Sequence, residues 1–497
     1  MTEIVESLRP VLALACPVSA AILILLFNTR PNVRESWTVI ASLAQFAIVV
    51  SMVPIVLTGQ KVECTLFKDM LLQVNFGFKV DAFGLLFAIT SSFLWILVSI
   101  YSIGYMRTLK EHAQTRYYFC FALAIFGAVG VAFSANLVTL YIFYEILTLS
   151  TYPLVAHEES DEALFAGRKY LAYLLTSGVL LLAAIVLNYS LAGTTDFASG
   201  GIPGLASVSQ GVLTILFILF ILGFMKAAYI PCHSWLPTAM VAPTPVSALL
   251  HAVAVVKAGV FGIVRVVCYV FGVDLMRDLH LGVWLASFAA VTMIGASLFA
   301  IAQDNLKKRL AYSTISQLSY IIFGVALLSP MGIQGGMIHI LFHGCMKITL
   351  FLCAGSILVA SGKKNISEMA GIGRAMPVTM LAFTVGALGM CGFPPTVGLV
   401  SKWYLGLGIV ENGNLAFLAV LMVSSLLDVV YFFPIVYVAF FGNSGIHASG
   451  LKGRKIKEAP WSMVIPLSIT ALLSIVLSFP NPVTGMVLRL ARIALNP

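Results

Sequence analysis

Charged residues are scarce in this chain of 497 residues, where Asp, Glu, Lys and Arg together make up 10%. An ordinary soluble domain carries about 25% charged residues. Hydrophobic residues here reach 60%, and the mean hydropathy is +1.00. Because so few charges cannot cover a soluble surface, the composition predicts a protein that is surrounded mostly by lipid.

The sequence motifs of cofactor and metal chemistry are also missing. The eight cysteines form no CxxC pair and most lie in apolar runs, which argues against iron–sulfur, zinc and haem sites. There is no GxGxxG dinucleotide fingerprint. We therefore expect no cofactor, no bound metal and no catalytic chemistry in this chain. Its net charge of +9 would suggest nucleic acid in a soluble protein, but the basic residues lie in short loops between apolar runs, which argues against nucleic-acid binding.

Apolar runs long enough to cross a bilayer, which takes about 20 residues, recur along the whole chain. There are fourteen, at about 9–27, 37–58, 81–106, 118–134, 136–155, 168–192, 212–232, 243–272, 281–302, 311–329, 333–361, 378–410, 415–441 and 462–480. They predict an all-α polytopic membrane protein with about 14 transmembrane helices.

The basic residues are distributed unequally between the two sets of alternate loops. The smaller set holds Arg9, Lys61, Lys68, Lys79, Arg277, Arg489 and Arg492. Since cytoplasmic loops collect Lys and Arg, the larger set predicts the cytoplasmic side. This bias places both termini outside, and the even number of spans agrees with it because it puts the two termini on the same side.

A group of ionisable residues lies inside the predicted spans. The bases are Lys226, Lys257, Arg265, Lys347 and Lys402, and the acids are Glu145 and Asp428. The histidines are His251, His339 and His343. Each charge at a helix centre costs about 2.5–3.5 kcal/mol on insertion, so the charges should face the protein interior, as in an ion or proton pathway.

Some of these residues also have a purely structural interpretation. Arg265 lies near the end of its span, where snorkelling to the interface is the favoured interpretation. A single lysine such as Lys257 also fits a packing counter-ion. His233 lies beside Pro231 at a helix break, where capping free carbonyls and carrying a proton are equally compatible with its position.

His339, His343 and Lys347 recur every four residues and therefore form one stripe on one helix. Three titratable groups spaced about 6 Å apart have the geometry of a water-assisted proton wire. By the same periodicity, Lys257 lies about 120° away from the helix face of His251.

Two spans are interrupted by proline and glycine. The first interruption follows Lys226 and includes Pro231, and the second precedes Lys402 and includes Gly392. Such breaks are tolerated at membrane depth where they line a cavity. They fall in the seventh and twelfth spans, five apart, which predicts two inverted five-helix repeats with a site at the midplane. The predicted domains are an N-terminal three-helix region at 1–117, repeats at 118–272 and 281–441, and a loop, last helix and tail at 442–497.

Several segments resemble the antiporter-like subunits of respiratory complex I, Mrp cation/proton antiporters and membrane-bound hydrogenases. The most specific is HSWLPTAMVAPTPVSALLHA, within the stretch from Gly223 to Arg265. Further similar segments are Val80–Gly84, Tyr141–Tyr152, Lys308–Gln317, His339–Gly355 and Gly392–Pro395. The resemblance covers about residues 75–445 and is strongest to a D-type Mrp-like subunit, because the extra spans of the largest subunits are missing.

The resemblance implies roles for the residues that match its motifs. Glu145 and Lys226 would form a switching ion pair, and Lys257 a central relay. The relay would then continue through His339, His343 and Lys347 to Lys402, with His251 beside it. Asp428 departs from the pattern of the best-known complex I members, so its role and that of His233 stay open.

The resemblance also implies partners and a location. We expect other membrane subunits of an Mrp-like, hydrogenase or complex I-like assembly, transport of H⁺ with Na⁺ exchange left open, and a prokaryotic cytoplasmic (inner) membrane. Two alternatives remain from the sequence: a self-sufficient monovalent cation/proton antiporter, and a structural membrane scaffold whose charges only stabilise the fold.

Overall fold

The computed structural model describes residues 4–71, 74–442 and 457–495, and most of these residues are helical. Residues 443–456, in the loop of the predicted last domain, lie outside the described residues. The first half contains α1 (Arg9–Leu26), α2 (Pro31–Ser51), α3 (Val53–Leu57), α4 (Ala82–Leu109), α5 (Gln114–Phe133), α6 (Leu137–Val155), α7 (Asp161–Ala192), α8 (Gln210–Gly223), α9 (Trp235–Thr238), α10 (Thr244–Ala248) and α11 (Val255–Arg265). The second half contains α12 (Val273–Asp278), α13 (Leu281–Ile301), α14 (Leu306–Ala326), α15 (Pro330–Ser361), α16 (Ile372–Ala375), α17 (Pro377–Cys391), α18 (Val397–Asn412), α19 (Ala416–Phe441), α20 (Trp461–Val476) and α21 (Pro482–Leu495).

Ten helices in the described part of the chain are long and apolar enough to cross a membrane by length and composition. The apolar helices α8, α17 and α20 are shorter, with 14, 15 and 16 residues. Helix α14 has 21 residues but begins with the basic run Lys307–Arg309. The chain is thus a multi-pass, mostly helical membrane protein, as predicted, and the predicted total of fourteen crossings would require these four helices as well.

The prediction of an all-α chain is incomplete near the N-terminus. Strand β2 (Lys61–Leu71) pairs in parallel with β1 (Ile4–Glu6) and antiparallel with β3 (Val74–Val80). Val62 lies opposite Val80, and both are buried. A search for apolar runs misses this sheet because β1 has only three residues and because polar residues are interspersed among the apolar ones in β2 and β3.

Short polar side chains fix the start of four helices in the site region. Each accepts a hydrogen bond from a backbone N–H three residues later, which satisfies one free donor of the first turn. The caps are Asp81 of α4, Asn136 of α6, Asn305 of α14 and Ser329 of α15.

Both predicted helix breaks are present. After α8 the chain forms a 3₁₀ turn at Met225–Ala227 and short helices before the long buried run Thr244–Phe271. The second break separates α17 from α18. It begins at Gly392, whose φ of 83° is a left-handed conformation that glycine adopts without steric cost.

Helix α15 lies at the centre of the bundle. It packs against α4, α14, α17, α18 and α20, and every residue from Gly332 to Ile357 is buried. Helix α11 is also buried along its whole length. The stripe of α15 and Lys257 of α11 are therefore inside protein and away from lipid.

Candidate functional site

The ionisable residues of the predicted pathway are withdrawn from the surface. Lys226, Lys257, Lys347, the three histidines of the predicted relay, and Asp428 are all 0% exposed. Lys402 is 8% exposed, and Glu145 is half-buried. These positions agree with the expectation that intramembrane charges avoid lipid.

We call the predicted repeats at 118–272 and 281–441 the first and second units. Lys257 of the first contacts His343 of the second. Lys257 Nζ on α11 lies 2.7 Å from Nδ1 of His343 on α15. The His343 ring lies one turn from that of His339, with ring centroids 5.7 Å apart. Helix α15 therefore places its stripe directly against the lysine of the first predicted unit.

His339 continues the line toward α14 and α18. Its Nδ1 lies 2.8 Å from Ser401 Oγ, and its Nε2 lies 3.1 Å from Gln317 Oε1. The Nε2 amide of Gln317 donates a hydrogen bond of 2.9 Å to Asp428. The amide thus holds the imidazole and the carboxylate in fixed positions at its two ends.

Asp428 and Lys402 form a buried ion pair. Lys402 Nζ lies 2.9 Å from Asp428 Oδ2 and also donates to Ser425 Oγ at 3.1 Å. Its third partner is the carbonyl of Cys391 at 3.2 Å, the last residue of α17. Because the break leaves that carbonyl without a helical partner, it is free to accept from the lysine.

Lys347 reaches the same carboxylate through two hydroxyl groups. Its Nζ donates to Ser313 Oγ at 2.8 Å. Tyr431 OH donates to Asp428 Oδ1 at 2.5 Å and lies 3.0 Å from Ser313 Oγ, whose hydroxyl can donate to it. We call the set Lys257, Ser313, Gln317, His339, His343, Lys347, Lys402, Asp428 and Tyr431 the central network.

The first unit is arranged differently. Lys226 lies on the 3₁₀ turn, donates to the Tyr144 carbonyl, and has its Nζ 3.2 Å from the centroid of the Tyr144 ring. No ion pair within 4.0 Å joins Lys226 to Glu145 among the described residues. Glu145 Oε1 is buried without a hydrogen-bond partner in that part of the chain. The structure therefore places Lys226 against Tyr144, the neighbour of Glu145, without a direct ion pair to Glu145.

Gly178 of α7 provides the space for the Glu145 carboxylate. A Cβ at this position would lie 2.4 Å from Glu145 Oε1, closer than non-bonded atoms approach. Gly178→Ala should therefore displace the carboxylate and reduce several-fold any proton transport that depends on it, measured as dye-reported proton uptake by vesicles. Gly211→Ala, whose Cβ meets nothing within 4 Å, should leave transport unchanged.

The double variant Gly178→Ala/Glu145→Asp gives the critical comparison, because aspartate is shorter by one methylene. Partial recovery relative to Gly178→Ala would support displacement of the carboxylate. Unchanged transport in Gly178→Ala itself would show that this position of Glu145 does not matter.

The predicted residues His251 and His233 lie outside the central network, as do Glu145 and Lys226. The His251 ring stacks on Phe351 with centroids 4.6 Å apart, and neither ring nitrogen has a hydrogen-bond partner among the described residues. His233 is half-buried, with Phe299 and Tyr312 beside its ring. The structure records no hydrogen bond from either histidine to the network in the described ranges.

The interpretation of Arg265 as a snorkelling residue is wrong. Its guanidinium is buried and bidentate on Asp81, with Nη2 2.8 Å from Oδ1 and Nη1 contacting Oδ2. Four aromatic rings surround it, with centroids 4.6–5.4 Å from Cζ. Arg265 turns inward because a carboxylate is available there, and burial of the pair excludes water.

Sequence reasoning missed the neutral members of the central network. Ser313 and Gln317 are four residues apart on α14, and Asp428 and Tyr431 are three apart on α19. Each pair therefore shares a helix face. A search for uncharged polar residues at helical spacing, in addition to charged ones, would have selected Ser313, Gln317 and Tyr431.

Two family models match this chain. The model described as NADH:quinone oxidoreductase/Mrp antiporter, TM, matches residues 134–428. The chain belongs to this family. The model described as NADH-Ubiquinone oxidoreductase (complex I), chain 5 N-terminus, matches residues 68–118. The first match includes both helix breaks and all the site residues predicted from the sequence.

Curated relatives come from two kinds of protein. NADH-quinone oxidoreductase subunit N of Desulforudis audaxviator is 32% identical over 404 residues, which are 78% of this chain and 79% of that protein. Na(+)/H(+) antiporter subunit A1 of Staphylococcus haemolyticus is 28% identical over 98% of this chain, and the match spans 63% of that subunit. The D-type assignment stays a prediction.

Solved structures share the fold over nearly the whole chain. One belongs to the membrane-bound sulfane sulfur reductase, an archaeal respiratory membrane complex, with a TM-score of 0.86, 25% identity and 98% coverage of both chains. Another belongs to the Mrp complex from Dietzia sp., with a TM-score of 0.85, 21% identity, and coverage of 98% of this chain and 96% of the other. The second likeness concerns the fold alone.

Proposed function

We propose that this family member is a proton-translocating antiporter-like membrane subunit of a multi-subunit complex. The observation that carries the proposal is the central network, a buried set of titratable and hydroxyl groups that extends from Lys257 to Lys402 through α14, α15, α18 and α19. Ionisable residues inside membrane spans are costly, and where they occur they typically mark an ion or proton pathway.

Protons would move through the network by rearrangement of short hydrogen bonds. Lys257 and His343 share one such bond, so a proton can pass between them. From Lys347, the hydroxyls of Ser313 and Tyr431 lead to Asp428 and its partner Lys402. Water is required between the rings of His343 and His339, where no direct hydrogen bond is present in the described structure.

Glu145 and Lys226 would control entry to this line. Two unit charges 4 Å apart interact by about 4 kcal/mol at an effective dielectric of 20. Closing the pair would hold a proton on Lys226, and opening it would release that stabilisation and favour transfer toward Lys257. Helix α11 packs on the turn that carries Lys226, so the two lysines belong to adjacent backbone segments.

The proposed topology has fourteen crossings and two inverted five-helix repeats, at 118–272 and 281–441, flanked by the regions 1–117 and 442–497. It is supported by one broken helix in each repeat, carrying Lys226 in the first and Lys402 in the second. The distribution of basic residues supports both termini outside a cytoplasmic membrane.

Partner subunits would supply the driving reaction. The Mrp complex and the sulfane sulfur reductase that share the fold are multi-subunit assemblies by their descriptions. We take the transported ion to be H⁺, and exchange of H⁺ for Na⁺ is tested separately. The experiment that follows also distinguishes two alternatives, a self-sufficient antiporter and a structural scaffold.

The test compares the purified chain with the complex that copurifies with it, each reconstituted into proteoliposomes. The proposal expects dye-reported proton movement from the complex and none from the chain alone. Movement by the chain alone on a Na⁺ gradient would identify a self-sufficient antiporter. If variants of the network lowered thermal stability but left transport intact, the scaffold interpretation would hold.

Asp428 offers a test of the second unit. Asp428→Asn removes the charge beside Lys402 and keeps the size of the side chain, so the ion pair and the Tyr431 contact both weaken. We expect proton transport to fall by about tenfold or more, because asparagine can neither carry a negative charge nor accept and release a proton at this position. The control is Tyr437→Phe, 65% exposed on the same helix. Equal transport in Asp428→Asn and the control would show that Asp428 is not part of the pathway.

A further inference from the structure

A cluster of three metal-ligating side chains lies away from the central network, at the ends of helices. Glu111 and His112 lie in the turn between α4 and α5, and His157 lies two residues after the end of α6. One ligand atom from each, a carboxylate oxygen or a ring nitrogen, lies within 4.8 Å of the others. The potential metal-ligand atoms of two turns that are distant in sequence therefore lie close together.

His157 is the most unusual member of this cluster. Its side chain is 0% exposed, yet neither ring nitrogen has a hydrogen-bond partner among the described residues. Buried polar groups are normally satisfied, and an orphaned one needs an explanation such as an ion.

The surroundings of the cluster are compatible with a cation. Arg116 and Lys307 are nearby positive charges. Arg116 is engaged by the Glu159 carboxylate and by the carbonyl of His157, and Lys307 donates to the carbonyl of Ala242. Glu111 Oε2 already lies 4.0 Å from His157 Nε2, and the His112 ring lies 4.9 Å from that of His157 between centroids. Glu111 is half-buried and His112 exposed, which leaves a route from solvent.

We propose that Glu111, His112 and His157 bind a divalent transition-metal ion of the zinc class. Two imidazoles and one carboxylate, with a fourth position open to water, form a ligand set that Zn²⁺ accepts. Ca²⁺ and Mg²⁺ prefer oxygen ligands and fit this donor set poorly. The bound ion would link the α4–α5 turn to the end of α6. This inference does not depend on the proposed function.

The test is calorimetric titration of ZnCl₂ into the metal-free full-length chain in detergent. We expect one saturable equivalent of Zn²⁺, no comparable binding of Mg²⁺, and an affinity that falls about tenfold or more in His157→Gln and in His112→Gln. His112 is exposed, so its replacement should leave the fold intact even if that of buried His157 does not. The matched control is His280→Asn, an exposed histidine at a φ of 55°, a conformation that asparagine tolerates.

X-ray absorption at the zinc edge identifies the ligands independently of affinity. Two nitrogen ligands at about 2.0–2.1 Å, one of them lost in His112→Gln, would support the site. The proposal is overturned if zinc does not bind saturably, or if His112→Gln binds it as tightly as His280→Asn does.

Discussion

Lys257→Met is expected to abolish proton translocation by the assembled complex, which makes it the largest functional effect among these predictions. Lys257 is fully buried on α11 and makes the contact with His343 that joins the two units. Methionine has a similar length but has no ionisable group, so it can neither accept nor release a proton. Dye-reported proton uptake by proteoliposomes is the measurement.

Lys257→Arg separates a relay from a packing counter-ion. Arginine keeps the positive charge but is not deprotonated in proteins. A relay therefore fails in both variants, whereas a counter-ion would work in Lys257→Arg. Lys308→Met removes an exposed lysine at the start of α14 and should transport normally. Wild-type transport in Lys257→Met would contradict a central role for Lys257.

The largest effect on stability is expected for Asp81→Ala. Asp81 caps α4 and holds the guanidinium of buried Arg265, which lies 184 residues away in sequence. Removing one partner of a buried ion pair costs about 3–5 kcal/mol, because the other charge stays buried and unpaired. We expect a strongly lowered melting temperature for the purified chain, or little accumulation of it in membranes.

A double replacement shows whether the unpaired charge is the cause. Asp81→Asn/Arg265→Met removes both charges and should be more stable than Asp81→Ala, since a neutral pair avoids burying an isolated ion. Asp278→Ala changes an exposed aspartate and is the control. If Asp81→Ala had the same melting temperature as the control, the ion pair between Asp81 and Arg265 would not hold α4 to α11.

Much of the fold follows from the sequence because lipid imposes long apolar helices with few alternatives. Both broken helices were predicted from proline and glycine near Lys226 and Lys402. The three-stranded sheet was not, because β1 has only three residues and because β2 and β3 contain polar residues that interrupt any apolar run.

The site was predictable to the extent that charge inside a span is a local signal. Lys257, His343 and Lys402 could be selected one by one from the sequence. Their partners could not, because contacts such as Gln317 to Asp428, 111 residues apart, depend on how helices pack. The orientation of the Arg265 side chain was wrongly predicted for the same reason. Its position near the end of a span does not reveal that Asp81 lies beside it in the folded protein.

The central claim is that buried acids, amines and histidines form one hydrated path across both units. A cryo-EM map of the assembled complex that resolves ordered waters tests it most directly. Waters should join Lys226 to Lys257, and also bridge the gap between the His343 and His339 rings. A map in which dry apolar side chains fill either interval would contradict conduction along this line.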